Sequence, residues 1–448
     1  MIERTVAATP CHLYTPPGVL GILLRMLPLD PSSARRLKIS IFIFGLAFRF
    51  VWTLCRGLSA DELTSLSYVL SPGLNSAFWD NSPPTFYLLM KAAYLVVSDE
   101  WFLRVVAFAI SSVSFVIFFR FLDREENGNL WLLGFWAVYP TSVVNATFRP
   151  TILIELAGII FYLASRSRSL GRLVGGCLAL MATSYLGFIA PLVALGDEPK
   201  PSAARDRKKL VILVCAIFVA AVGLLRIRWQ SLTWLRSGSV IDLGASSFLM
   251  LSQLWGFSLP LFLAVTWTLA RARKISRSFI VIVLLVALGP ILTGHRFASS
   301  RFLIFLSPWV LISIATVLRL RRDFWVGALV VIIPAVTTIW FLLHEKSGWV
   351  EAGRYVAATG EKAIVYVPQT MASYLSPRFV KGDLDMDLAI SKHIANGGWI
   401  LRPNPSRDIR MLRFLPEGGH PGYDVKESRV FGENSLEPVL AVHIVPKN

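Results

Sequence analysis

Ser59-Ala60-Asp61-Glu62 sets two adjacent carboxylates directly after the apolar run Leu37 to Leu58, whose roughly 20 residues are about what a bilayer crossing requires. Two acids at a membrane–water boundary are suited to proton transfer or to gripping a cation. A local role competes with that one, in which Asp61 caps the following helix and Glu62 sits in its first turn. Cationic side chains able to serve an anionic group lie elsewhere along the chain. Arg49 falls inside the first apolar run, Arg104 opens a second one, Arg149 belongs to the turn Thr147-Phe148-Arg149-Pro150, and Arg301 precedes a late run. An arginine inside the membrane, as Arg49 would be, is a functional-site candidate by default. The competing reading is an interfacial anchor for each, or snorkelling for Arg49, whose position inside the membrane is otherwise costly. Glu155 adds one more acid, four residues beyond Thr151 on the same helical face and deeper in the membrane.

The elements that must hold these groups are membrane helices. The chain has 448 residues, 54% of them hydrophobic, and a mean hydropathy of +0.59, which excludes an ordinary soluble enzyme. The net charge of +17 does not signal nucleic-acid binding, because the basic residues cluster in short stretches between apolar runs, as the positive-inside rule requires. The four cysteines, Cys11, Cys55, Cys177 and Cys215, have no paired spacing and support neither a disulfide framework nor a metal knuckle. Val19 to Leu27 lacks a cleavage pattern and reads as an interfacial helix in a cytoplasmic tail, residues 1–36.

A membrane domain is expected over residues 37–343, with a first outer loop at 57–101. Within that loop Thr85 to Tyr94 reads as a helix at the interface, after Pro83-Pro84. Further spans are expected from Trp101 to Leu122, Leu130 to Ala146, Thr151 to Ala164, Val211 to Leu225, Phe248 to Leu269, Phe279 to Leu292, Phe302 to Leu318 and Phe324 to Leu343. Leu173 to Leu195 reads as two short helices turning near Ser184-Tyr185, since a single span would carry Lys200 to Lys209 outside. All basic clusters then share one side, for about eleven spans. From His344 to the end, a helix at Trp349 to Ala358, strands at Ala363 to Val367 and Val439 to Val445, and a helix at Leu384 to Ala395 predict a small α/β domain outside the membrane.

In order and spacing, the chain resembles the GT-C superfamily of polyprenyl-phosphate-dependent glycosyltransferases. The similarity is to the family 39 group, which includes protein O-mannosyltransferases and lipid A aminoarabinose transferases. The motifs that carry it are Arg49, Asp61-Glu62, Pro83-Pro84 with Tyr87-Leu88-Leu89, Glu100 with Arg104, Arg149-Pro150, Thr183-Ser184-Tyr185, and Ser300-Arg301-Phe302-Leu303 with Pro308. The resemblance implies a GT-C fold and a sugar donor linked to a polyprenyl phosphate. It implies Asp61 as general base supported by Glu62, with Arg104, Arg149, Arg301 and Arg49 toward the donor phosphate. Asn81, Pro83, Pro84, Tyr87, Tyr185 and Glu155 would line the substrate pocket. It further implies an inverting hexosyl or pentosyl transfer to a lipid or envelope-glycan acceptor, in a bacterial cytoplasmic membrane with the site facing the periplasm.

The chain also departs from that pattern. Asn81-Ser82 stands where relatives often carry His or Glu, Thr147 where they carry an acid, Thr151 where they carry Tyr, and Ser184 where they carry His. These are second-acid and metal-ligand positions, so no cofactor is expected and a divalent cation is disfavoured. Two other readings stand beside transfer: a transporter or flippase of a lipid-linked substrate, and a catalytically silent subunit of the same fold.

Overall fold

The computed structural model describes residues 30–71, 82–126, 129–167, 169–184, 186–195, 210–214, 216–218, 221, 240–293, 300–320, 324–344, 346–365, 372, 375–381, 390, 392–403, 422–432 and 435–447. The expected interfacial helix at Val19 to Leu27, Lys200 to Lys209 and most of Leu384 to Ala395 lie outside them.

Helix α1, Pro31–Phe50, starts with proline at its first position and runs directly into a π-helical turn, Val51–Cys55. Together they form the first membrane-length element, Ser32–Cys55. Its end is tied to the rest of the membrane domain: Trp52 Nε1 donates to Val144 O at 2.9 Å, and Thr53 Oγ1 donates to Ala146 O. Helices α2 (Ala60–Leu70) and α3 (Thr85–Val96) follow in the outer loop, and α4 (Glu100–Glu125) is the second long apolar helix.

Several expected spans are broken. Leu130 to Ala146 divides at Tyr139 into α5, Leu130–Val138, and α6, Pro140–Asn145, because Pro140 has no N–H to continue the helix. Helix α7, Thr151–Arg166, is continuous. The ambiguous stretch divides at Ser184 into α8, Leu170–Thr183, and α9, Ile189–Leu195. Phe248 to Leu269 is not a single straight span. Helix α10, Val240–Leu254, begins ahead of that expected span, and α11, Leu259–Arg271, leaves α10 at 80°. Gly256 at φ 74° and Phe257 at φ 59° make that corner. Then come α12 (Arg277–Thr293), a 3₁₀ turn at Ser300–Leu306, α13 (Ser307–Leu320) and α14 (Phe324–Leu343). Among the described residues four helices are long and apolar enough to cross a membrane, or five if the bent pair counts as one span; the expected total of eleven is not reproduced.

The membrane domain packs around large rings, with Phe118 edge-on to Trp136 at 5.3 Å and Tyr162 edge-on to Trp309 at 5.0 Å. Lipid gives no hydrophobic drive between helices, so close contact must come from shape. Gly158 supplies it where a Cβ would strike the backbone of Phe305.

The C-terminal region is helix α15, Trp349–Ala358, on a five-stranded sheet ordered β2-β1-β3-β5-β4. The strands are β1 Ala363–Val365, β2 Phe379–Lys381, β3 Gly398–Pro403, β4 Tyr423–Phe431 and β5 Val439–Pro446. β1 pairs in parallel with β2 and β3, and β5 is antiparallel to β3 and β4. Three strands escape the sequence pattern: β2 is short, β3 follows glycine, and β4 is an edge strand whose central residues are exposed and charged. The two faces of the sheet have different partners. Ala363, Val365, Trp399, Leu401, Val439 and Ala441 share a core with Trp349 and Val356 of α15 and with Leu63, Tyr87 and Phe148 of the outer loops, while Ile364, Ile400, Val442 and Ile444 form a separate cluster behind. The period-2 alternation of the strands therefore seats this domain on the first outer loop.

Candidate active site

The site begins with a helix cap. Ser59 is extended, and its Oγ accepts from Glu62 N at 3.3 Å while Glu62 Oε2 accepts from Ser59 N at 3.0 Å. This is a reciprocal capping box, so the residue that caps α2 is Ser59 rather than Asp61. Glu62 is fully buried, and its Oε1 accepts from Phe148 N at 2.9 Å and from Lys346 Nζ at 3.1 Å. Burial alone would raise its pKa. The ammonium of Lys346 and the N–H groups of Ser59 and Phe148 outweigh that and hold it below the ordinary carboxylate value. Lys346 is itself buried and lies 5.0 Å from the ring centroid of Trp52.

With Glu62 directed inward, Asp61 is left for the outer surface, where it pairs with Arg149. Arg149 comes from the turn before α7, where Arg149 N donates to Thr147 O at 2.7 Å and Pro150 begins the next helix. A third carboxylate arrives from the C-terminal domain. Glu437, in the loop entering β5, accepts from Ala60 N at 2.8 Å through Oε2. Burial and the negative charges of Asp61 and Glu62 push it up to about 7, against the opposing effects of Ala60 N–H and Arg149.

These groups surround a cavity of about 170 Å³ lined by Trp52, Ser59, Asp61, Val144, Asn145, Thr147, Arg149, Gln253, Phe257, Lys346, Leu436 and Glu437. Four separate parts of the membrane domain and the C-terminal loop meet there. Two cations, Arg149 and Lys346, face two carboxylates, Asp61 and Glu437, across it. Such an arrangement can hold an anion, orient a hydroxyl and accept a proton.

No family model and no curated protein matches the chain. Solved structures similar to it include two of ArnT. ArnT from Cupriavidus metallidurans in the apo state is 12% identical with a TM-score of 0.48, and ArnT from the same organism bound to undecaprenyl phosphate is 13% identical with a TM-score of 0.44. Each match covers 90% of this chain and 97% of the other.

Of the residues singled out in the sequence, Asp61 and Arg149 line the cavity and Glu62 supports it from behind. Arg104 goes elsewhere. Its Nε donates to Thr53 O at 3.1 Å and its Nη2 to Leu54 O at 3.0 Å and Arg56 O at 2.5 Å, so it satisfies carbonyls that the end of the first membrane helix leaves open. Arg49 is also remote from the cavity lining. It is fully buried, donates to Gly45 O at 3.0 Å and Ser142 Oγ at 2.7 Å, and covers the Phe115 ring at 4.3 Å. Glu155 belongs to the same buried cluster through Ser142 and the charge of Arg49. Arg104, Arg49 and Glu155 are not among the residues that line the cavity.

Pro83 and Pro84 precede the helix Thr85–Val96, and Tyr87 packs edge-on against Tyr68 at 5.7 Å in the outer-loop core. Asn81 and Tyr185 lie outside the described residues, as does the side chain of Arg301. Among the described residues no three His, Cys, Asp or Glu side chains group as metal ligands.

Sequence reading missed Lys346 and Glu437. Lys346 stands just past the last long helix, a position where a basic residue reads as an interfacial anchor. Glu437 lies in a loop without any motif, 377 residues from the N–H it binds. Only the seating of the C-terminal sheet on the outer loop brings them in.

Proposed function

We propose that this protein transfers a sugar from a polyprenyl-phosphate carrier to the hydroxyl of a lipid or envelope-glycan acceptor, with inversion at the anomeric carbon. The observation that carries this reading is the cavity between Asp61, Arg149, Lys346 and Glu437 at the end of the first membrane helix, roofed by the C-terminal domain. A donor phosphodiester bears one negative charge, and its departure as a phosphate monoester adds a second. Arg149 and Lys346 are the groups that meet this growing charge, with arginine offering two parallel N–H bonds. Asp61, paired with Arg149, is placed to accept a hydrogen bond from the incoming hydroxyl and to offer a counter-charge to the cationic character that develops on the sugar.

This assignment moves Asp61 from the base expected in the sequence to the group that orients the acceptor. The positive-inside pattern supports a bacterial cytoplasmic membrane with the cavity facing the periplasm.

The test is sugar transfer by the purified full-length protein. Undecaprenyl-phosphate-linked hexoses and pentoses would be offered as donors, with an envelope lipid extract as acceptor. New glycolipid, absent when Arg149→Gln protein is used, is the expected result. A protein that binds undecaprenyl phosphate but forms no glycosidic bond with any donor would instead be a transporter or a silent subunit.

A further inference from the structure

We propose that Glu437, a side chain of the C-terminal domain, is the general base that takes the proton from the acceptor hydroxyl. The proposal deepens the sugar-transfer reading and depends on it.

Three carboxylates approach this cavity, and each is compensated differently. Glu62 faces the ammonium of Lys346 and two backbone N–H groups, and takes no part in the cavity lining. Asp61 faces the guanidinium of Arg149. A carboxylate so paired is a weak base, because losing its charge would strand the cation. Glu437 instead accepts a hydrogen bond from a neutral donor, Ala60 N, through Oε2. That bond fixes the plane of the carboxylate at the mouth of α2, and Oε1 retains the capacity to accept a proton.

The charged groups around Glu437 are Asp61 and Glu62 from α2, Arg149 from the turn before α7, and Lys346 from the segment after α14. Burial, and after it the two neighbouring negative charges, raise its proton affinity to the neutral range, where a general base works best. The acceptor oxygen forms the new bond to the anomeric carbon as its O–H proton passes to Glu437. The carbon–oxygen bond to the carrier breaks, and its electron pair leaves on the phosphate monoester that Arg149 and Lys346 face.

Glu437→Gln keeps the size and can still accept from Ala60 N, but it cannot take a proton. With whichever undecaprenyl-phosphate sugar the wild type uses, the wild-type rate should rise with pH through an inflection near neutrality. In Glu437→Gln transfer should fall by ~10²–10⁴-fold and the inflection should vanish, while undecaprenyl phosphate binding and thermal stability stay at wild-type levels. Should that variant fail to fold, Glu437→Asp serves in its place: it retains a carboxylate, and its inflection should move as the rate falls. A stable Glu437→Gln protein with a near-normal rate and the same inflection, or a Glu437→Asp protein with an unmoved one, would overturn the assignment. A wild type inactive with every donor would sink the sugar-transfer reading itself, a distinguishable failure.

Discussion

Lys346 Nζ lies 3.1 Å from Glu62 Oε1, and both side chains are almost wholly buried although 284 residues separate them. This pair joins the cap of the first outer helix to the segment that leads into the C-terminal domain. Removing one member leaves the other as an uncompensated buried charge, which costs roughly 3–5 kcal/mol. Lys346→Met should therefore lower the apparent melting temperature sharply, and the double variant Lys346→Met with Glu62→Gln should recover part of the loss. A Lys346→Met protein as stable as wild type would show that the pair does not hold the domain in place.

The same carboxylate gives a pH dependence. Glu62 has a lower pKa in the folded protein than its ordinary value of 4.5. Its contribution to stability is thus complete above that value and is lost as pH falls through the depressed one. Melting curves between neutral and strongly acidic pH should show a loss on the acid side that is reduced in Glu62→Gln. An identical acid limb in both proteins would argue against it.

Asp61→Asn should act on transfer in two ways. Hydrogen bonds to charged groups contribute roughly 1.5–3 kcal/mol, so loss of the ionised orienting group should slow transfer by roughly 10–10²-fold. The negative charge of Asp61 also raises the pKa of Glu437, and Arg149 lowers it. Removing the first and unpairing the second both favour ionised Glu437, so the inflection in the rate profile should shift to lower pH. Helix capping predicts neither effect, since Ser59 performs that role. A shift to higher pH would contradict the proposed coupling.

Transfer should survive exhaustive chelation. Asp61 and Glu62 face Arg149 and Lys346, so the cations that neutralise the two adjacent acids are side chains. Activity lost to a chelator and restored by a divalent ion would mean that an ion displaces one of these pairs.

Arg49 should matter for integrity and not for the donor. Arg49→Met removes the bonds to Gly45 O and Ser142 Oγ and leaves Glu155 without its cation inside the membrane domain. Thermal stability in detergent should drop by on the order of 3 kcal/mol, with the donor KM unchanged in protein that remains folded. A raised KM at wild-type stability would return Arg49 to the phosphate-binding set.

Local chemistry made part of this protein legible in its sequence. Long apolar runs demand helices because lipid offers no partner for backbone N–H and C=O groups, and the first run, the acidic pair beyond it, and the start of the C-terminal domain at its helix and first strand were all readable that way. Continuous hydropathy hid the breaks at Tyr139 and at Gly256-Phe257, which Pro140 and the positive φ of Gly256 make in the backbone.

What tertiary structure decided was the partner of each charge. Arg104 and Arg149 look equivalent as isolated arginines near outer loops, yet one satisfies helix-end carbonyls and the other meets Asp61. Asp61 and Glu62 are adjacent, but successive helical residues point about 100° apart, so one faces the cavity and the other the interior. Lys346 and Glu437 carry no motif, because their meaning comes from loop closure over hundreds of residues. An ion pair depends on distance in space, and sequence spacing reports that distance only within a helix or strand.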